Sequence, residues 1–176
     1  MQCQKAIFFD RDGVINEDLG YVHKIADFRF YEDFFPCVAK FKQHDYKLIV
    51  VTNQSGIERG FYTVKEFLAL SAYMQECIYK KLGFYLDKIY FCPSFRDSSR
   101  RKPAPGMLLE AKRAYNLDMD DCIIVGDKLS DVEAGHNAGL KKVFLLQRQH
   151  ECFTHSASSH YCVITTLSQL TPHAII

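Results

Sequence analysis

Two aspartates one residue apart, Asp10 and Asp12 in KAIFFDRDGVIN, stand at the end of a short apolar run. Carboxylates that close repel each other, and the repulsion is relieved when a cation bridges them or one of them holds a proton. Both forms of relief point to chemistry. Asp10 leaves the apolar run directly, so it is the candidate to attack phosphorus and form an aspartyl-phosphate. Asp12 can protonate a leaving alkoxide and then deprotonate water, acting as general acid and base in turn.

Three further polar clusters follow apolar runs: Thr52 and Asn53 after KLIVV, Lys102 after KIYF, and Asp127 with Lys128 and Asp131 after CIIVG. Any one of them could be a helix cap or a turn, where Asp, Asn, Ser and Thr are routine. Together they mark loops at the carboxyl ends of strands, which in an open α/β sheet point into one crevice. The inventory suits phosphoryl transfer. Mg²⁺ takes oxygen ligands, so Asp10, Asp127 and the Asp12 carbonyl could hold it. Lys102 and the Thr52 hydroxyl would meet the equatorial phosphoryl oxygens. Asp131 has two readings, favouring a helix amino terminus through the dipole or supporting the metal from behind. The run through Ser55 and Gly56 is ordinary turn chemistry, or a set of backbone amides that cradles phosphate. Arg59, in the same loop, is a surface arginine or a bidentate partner for a second phosphate. His23 and the scattered His136, His150, His155, His160 and His173 read as packing or surface residues.

The elements that must position these groups are legible from periodicity. Strand-length apolar runs fall at 5–9, 47–51, 88–91, 122–126, 141–146 and 161–165. A helix from about Val64 to Leu82 opens on Thr63 and Glu66, spaced as a capping box, and closes before Gly83, with Val64, Phe67, Ser71, Met74 and Ile78 along one face. A second helix follows Pro105 with Met107, Leu108, Ala111 and Tyr115 at helical spacing, and a third runs from about Leu129 to Ala138. The alternation predicts an α/β fold: a Rossmann-like parallel sheet with right-handed crossovers and helices on both faces. Only the Ser/His-rich stretch 154–160 reads as loop-like, and it is too short to be a linker, so one domain over 1–176 is expected.

At 176 residues and 48% apolar, the chain can bury a sizeable core. A net charge of +1 supplies no basic field for nucleic acid, which favours a small-molecule partner. Seven irregularly spaced cysteines, Cys3, Cys37, Cys77, Cys92, Cys122, Cys152 and Cys162, read as reduced thiols and small hydrophobes. No apolar window approaches the roughly 18 residues of a spanning helix. A cytoplasmic monomer with no membrane partner is expected.

In this order, DRDGV, VVTNQSG, the RKPAPGM lysine and VGDKLSD resemble the four motifs of haloacid dehalogenase superfamily phosphatases. Within that superfamily, FFDRDGVIN, GYVHK, VVTNQSGIERG, FCP, RKPAPGM and VGDKLSD are similar to the D-glycero-D-manno-heptose 1,7-bisphosphate phosphatases and the related histidinol-phosphate phosphatases. The resemblance covers nearly the whole chain. It implies Asp10 as nucleophile, Asp12 as acid and base, Thr52 and Lys102 as the phosphoryl-binding pair, and Asp10, Asp12 and Asp127 as Mg²⁺ ligands. It further implies substrate contacts at Asp18, Leu19, Gly20 and Tyr21, at Thr52, Asn53, Gln54 and Ser55, and at Arg101 and Lys128. A large cap domain is not expected.

The chain departs from the family at one place. Many relatives hold a structural zinc through Cys-Pro-His and a later Cys-x-Cys before the RKP segment, whereas this loop reads FCPSFRDSSRRKP. Cys92 remains, but Ser94, Ser98 and Arg100 stand where the other ligands would be. One thiolate cannot build a four-coordinate site, so no zinc is expected. The function implied is Mg²⁺-dependent removal of the C7 phosphate of D-glycero-D-manno-heptose 1,7-bisphosphate, serving lipopolysaccharide-core or related heptose-nucleotide synthesis. Histidinol phosphate or another small phosphomonoester is the alternative substrate, and a noncatalytic phosphate-binding protein the alternative class.

Overall fold

The computed structural model describes residues 3–96, 98–148 and 160–172. Most of the stretch 154–160, with Cys152, His150, His155 and His173, lies outside the described residues. The chain runs β1 (Ala6–Phe9), α1 (Phe34–Gln43), β2 (Lys47–Asn53), α2 (Val64–Leu82), β3 (Lys88–Cys92), α3 (Gly106–Tyr115), β4 (Ile123–Gly126), α4 (Leu129–Asn137), β5 (Lys142–Leu146) and β6 (Cys162–Ile164). The strands form one parallel sheet in the order β3-β2-β1-β4-β5-β6. No helix among the described residues is long and apolar enough to cross a membrane.

Successive side chains of a strand point to opposite faces, and β1 shows what each face receives. Ile7 and Phe9 join a cluster with Phe34, Val38 and Phe41 of α1 and Leu70, Met74 and Ile78 of α2. Ala6 and Phe8 join a second cluster with Met107, Leu108 and Ala111 of α3 and Val132 and Ala134 of α4. Both faces are therefore covered, and β1 and β4 are buried along their whole length. Each fully buried Phe contributes about 1.5–3 kcal/mol, so Phe8 and Phe9 pin the central strand from both sides.

The order of the strands fixes where a ligand can sit. From β1 the chain moves outward through β2 to β3, then returns to place β4 on the other side of β1. Loops leaving β1 and β4 thus diverge, opening a crevice at their carboxyl ends. Asp10 and Asp127 are the residues immediately after those two strands.

Three details differ from the periodicity. Helix α1 was not anticipated, although Phe34, Cys37, Val38 and Phe41 are buried at helical spacing and Pro36 falls in the first turn, where it is tolerated. On α2 the capping box forms as expected, with Glu66 N–H donating to Thr63 Oγ1 at 3.2 Å and Thr63 N–H to Glu66 Oε2 at 2.7 Å. Its packed face begins at Phe67 and takes in Leu70, leaving Val64 exposed. Strand β2 extends through Thr52 and Asn53, because β3 continues alongside and pairs them with Phe91 and Cys92.

After β5 the chain is tied back to the first loop by Arg148. Its guanidinium makes a two-pronged pair with Asp33 at 2.9 and 3.0 Å and donates to the Gly13 and Val14 carbonyls at 3.3 and 3.1 Å. Asp33 also accepts from Thr166 Oγ1 at 2.8 Å and Leu167 N–H at 2.9 Å. Burial raises Asp33, but these donors outweigh it and hold the carboxyl below its usual range.

Candidate active site

Lys102 is the electrostatic centre of the crevice. Its ammonium, almost wholly removed from solvent, lies 3.0 Å from Asp10 Oδ1 and 2.5 Å from Asp131 Oδ1, and donates to the Val51 carbonyl at 2.7 Å. Those three partners match the three protons an ammonium carries. Burial alone would lower its pKa, yet the Asp10 and Asp131 charges prevail and hold Lys102 above its ordinary range. Asn53 fixes the backbone beneath it by a two-way clasp, Nδ2 donating to the Lys102 carbonyl at 2.9 Å and Oδ1 accepting from its N–H at 3.0 Å. Asp10 is further oriented by the Arg11 N–H, which donates to Oδ1 at 2.7 Å.

Carboxylate oxygens of Asp10, Asp127 and Asp131 all lie within 4.8 Å of one another. Asp127 Oδ1 is buried without a hydrogen-bond partner. Gly13 closes against the same side chain: a Cβ there would stand 2.4 Å from Asp127 Oδ2, and its φ of +84° is one that side chains rarely adopt. An orphaned buried carboxylate oxygen facing a second acid in an all-oxygen donor set fits a hard divalent cation such as Mg²⁺.

Burial, and after it the Asp10 charge, push Asp127 up to about 7 in the metal-free protein. An acid raised on folding binds more protons folded than unfolded, so its stabilising share is lost as pH rises through that value. In chelator, the melting temperature is expected to fall between pH 5 and 8, and Mg²⁺ is expected to give its largest stabilisation above about pH 7. Thermal melts with and without Mg²⁺ across that range check the sign; a Mg²⁺ shift greater at pH 5 than at pH 8 would refute it.

The Asp12 carboxylate belongs to a different network from the three-acid cluster. Arg11 reaches it through Nε at 3.1 Å and Nη2 at 2.8 and 2.9 Å, Asn16 Nδ2 donates at 3.0 Å, and Gln54 Nε2 at 3.1 Å. Arg11 is itself fully buried and also donates to the Val22 carbonyl at 2.6 Å. The Asp12 carboxylate is thus held by these donors and is not among the three acids that converge. Gln54 Nε2 also donates to Thr52 Oγ1 at 2.8 Å, while Gln54 Oε1 accepts from the Tyr62 hydroxyl at 2.6 Å. Burial pushes that phenol up to about 12, so it remains a donor near neutrality.

These groups open into a cleft of about 490 Å³ whose wall includes Asp10, Asp12, Thr52, Asn53, Gln54 and Lys102 on the sheet side. Asp18, Gly20, Tyr21, Ser55, Arg101 and Lys128 line its outer part. Lys128 Nζ pairs with Asp18 across the cleft at 3.0 Å and lies 3.6 Å from Asp127. Arg101 is steadied by the Ser94 carbonyl, to which Nη1 donates at 2.9 Å, and by Ser98, which accepts from its N–H. Of the residues expected to touch substrate, Leu19 is not on the wall and is 56% exposed. Arg59 is likewise off the wall, its guanidinium stacked 3.5 Å above the Phe95 ring. His23 stacks on Tyr62 with ring centroids 5.0 Å apart, the packing role expected of a lone histidine. Cys92, in the altered loop, is buried with its Sγ 3.4 Å from Ser98 Oγ.

Sequence reasoning did not single out Arg11, Tyr62 or Arg148. An arginine between two acids at the end of a buried strand is a signal that could have found Arg11. Tyr62 and Arg148 are joined to the site only through the fold, and no local spacing announces them.

The HAD-hydrolase-like family model matches residues 99–170. The D-glycero-beta-D-manno-heptose-1,7-bisphosphate 7-phosphatase of Helicobacter pylori strain 26695 is 45% identical over 148 residues, covering 83% of this chain and 86% of its own length. The D-glycero-alpha-D-manno-heptose-1,7-bisphosphate 7-phosphatase of Campylobacter jejuni is 45% identical over 145 residues, covering 82% and 84%. Among solved structures, the D,D-heptose 1,7-bisphosphate phosphatase of B. bronchiseptica, complexed with magnesium and phosphate, superposes with a TM-score of 0.83 at 28% identity over 94% of both chains. With its acids at the switch point of a parallel sheet and relatives this similar over most of its length, the chain belongs to the heptose 1,7-bisphosphate phosphatase family of haloacid dehalogenase-like hydrolases.

Proposed function

We propose that this protein removes the C7 phosphate of D-glycero-D-manno-heptose 1,7-bisphosphate, with Asp10 as nucleophile. The observation that carries the reading is the closed set of Asp10, Asp127, Asp131 and Lys102 at the carboxyl ends of β1 and β4, in a chain this similar to named phosphatases of that substrate. Asp10, Asp127 and the Asp12 carbonyl would hold Mg²⁺, which supplies charge neutralisation at the phosphoryl oxygens when bound. An Asp10 oxygen attacks phosphorus, the bond from phosphorus to the C7 oxygen breaks, and Asp12 gives that oxygen its proton. Asp12 then takes a proton from water, the water oxygen attacks phosphorus, and the Asp10–phosphorus bond breaks to release phosphate. Lys102 and Thr52 hold the transferring group throughout.

Arg101 and Lys128, the cations of the outer cleft, suit the substrate's C1 phosphate, while Asp18, Gly20, Tyr21 and Ser55 face the sugar. A cytoplasmic setting accords with the free thiols of Cys3, Cys37, Cys77, Cys92, Cys122 and Cys162. No zinc is included in this reading, since Ser94, Ser98 and Arg100 stand in the sequence where its other ligands would be. The test is a kinetic comparison of both heptose bisphosphate anomers, histidinol phosphate and a generic sugar phosphate, with Mg²⁺ and with chelator. A heptose bisphosphate should lead the panel by kcat/KM and lose turnover in chelator. Histidinol phosphate in the lead would reassign the substrate, and no phosphate release from any compound would make the protein a binder.

A further inference from the structure

A chain of hydrogen bonds runs from Tyr62 through Gln54 to Asp12. Asp12 Oδ2 accepts from Arg11 Nη2 at 2.8 Å and from the NH₂ of the Gln54 amide at 3.1 Å. That orientation turns Oε1 toward Tyr62, whose hydroxyl supplies the donor it needs at 2.6 Å. The same NH₂ group bridges to Thr52 Oγ1, so one amide sets the spacing between the acid–base residue and a phosphoryl contact. Gln54 is 2% exposed, and without the phenol its buried carbonyl would lose this donor.

The phenol ring is held independently of its hydroxyl. His23 stacks on it with an interplanar angle of 5°. At Gly56 a Cβ would come within 2.2 Å of the ring, so the backbone there packs directly against it. Removing the oxygen alone therefore leaves the ring's packing in place.

We propose that Tyr62 is a positioning residue that acts through Gln54 to aim Asp12 at the leaving oxygen, a role that rests on the phosphatase reading above. The readout is leaving-group dependence. An alkyl phosphate needs Asp12 to protonate the departing oxygen, whereas p-nitrophenolate is a weak enough base to depart without a proton. The ratio of kcat/KM values, which covers the steps through phosphoenzyme formation, isolates that need.

The experiment compares the parent, Tyr62→Phe, Gln54→Met and the double variant on the best alkyl phosphate of the panel and on p-nitrophenyl phosphate. Tyr62→Phe is expected to lower kcat/KM for the alkyl ester by about 10–100-fold, the scale on which small misplacements act, and for the aryl ester by less than about 3-fold. In the Gln54→Met background the same substitution should add almost nothing. Equal losses on both esters, no loss on either, or full additivity with Gln54→Met would overturn the proposal. So would a variant whose circular dichroism shows it unfolded, since the hydroxyl would then be a structural tie. A parent protein that hydrolyses neither ester would instead bring down the phosphatase reading.

Discussion

Asp10→Asn is expected to abolish phosphate release, with kcat lowered by about 10⁴-fold or more, as when a nucleophile is removed from a covalent mechanism. The amide is a poor nucleophile and a weak ligand for a hard cation. It is also nearly isosteric, and its Oδ1 can still accept from the Arg11 N–H and from Lys102, the two donors that orient Asp10 Oδ1. The variant should therefore fold while losing both turnover and much of the thermal stabilisation that Mg²⁺ confers on the parent. Steady-state phosphate release and melts with Mg²⁺ or chelator measure the two effects together. Retained turnover would rule out the aspartyl-phosphate route, and an undiminished Mg²⁺ shift would place the cation elsewhere.

Lys102→Met is expected to damage both stability and catalysis. The ammonium is the buried counter-charge for Asp10 and Asp131, at 3.0 and 2.5 Å, and methionine fills a similar volume without charge. Breaking a buried pair by removing one partner costs about 3–5 kcal/mol, because the remaining charge is left uncompensated. Loss of a preorganised cation beside the transferring group should lower kcat by at least about 10²–10³-fold. Mg²⁺ should return part of the lost stability, since a cation among the same acids offsets some of their repulsion. Denaturant unfolding in chelator and in Mg²⁺ gives the two free energies. A variant as stable as the parent in chelator would mean that Lys102 does not carry the electrostatic load.

Much of the site was legible because its residues sit next to the strands that deliver them. Asp10, Thr52 and Asp127 each follow or end an apolar run, and the run itself reveals the sheet. Lys102 was harder, being in a loop with no strand partner, and its place depends on the Asn53 clasp that no spacing reveals. The acids of the crevice were only partly readable: Asp131, given two readings by its position near the α4 amino terminus, accepts from the Lys128 N–H at 3.1 Å at that helix start and also faces Lys102, a contact no spacing reveals. The Asp12 carboxylate could not be placed from sequence, since its direction is decided by Arg11, Asn16 and Gln54 together. Helix α1 hid its period behind Pro36 and the aromatic run before it, where local signals compete.

The pairing of β1 with β4 bears on how the enzyme acquires competence after synthesis. Asp10 and Asp127 become neighbours only when Ile7, Phe8 and Phe9 register against Ile123, Ile124 and Val125, closing a loop of more than a hundred residues. Closure over so long a span is among the slower events of a folding reaction. Helices and the β1–β2 unit can condense earlier without creating any catalytic geometry, so the regain of turnover during refolding times the completion of the sheet rather than the collapse of the chain.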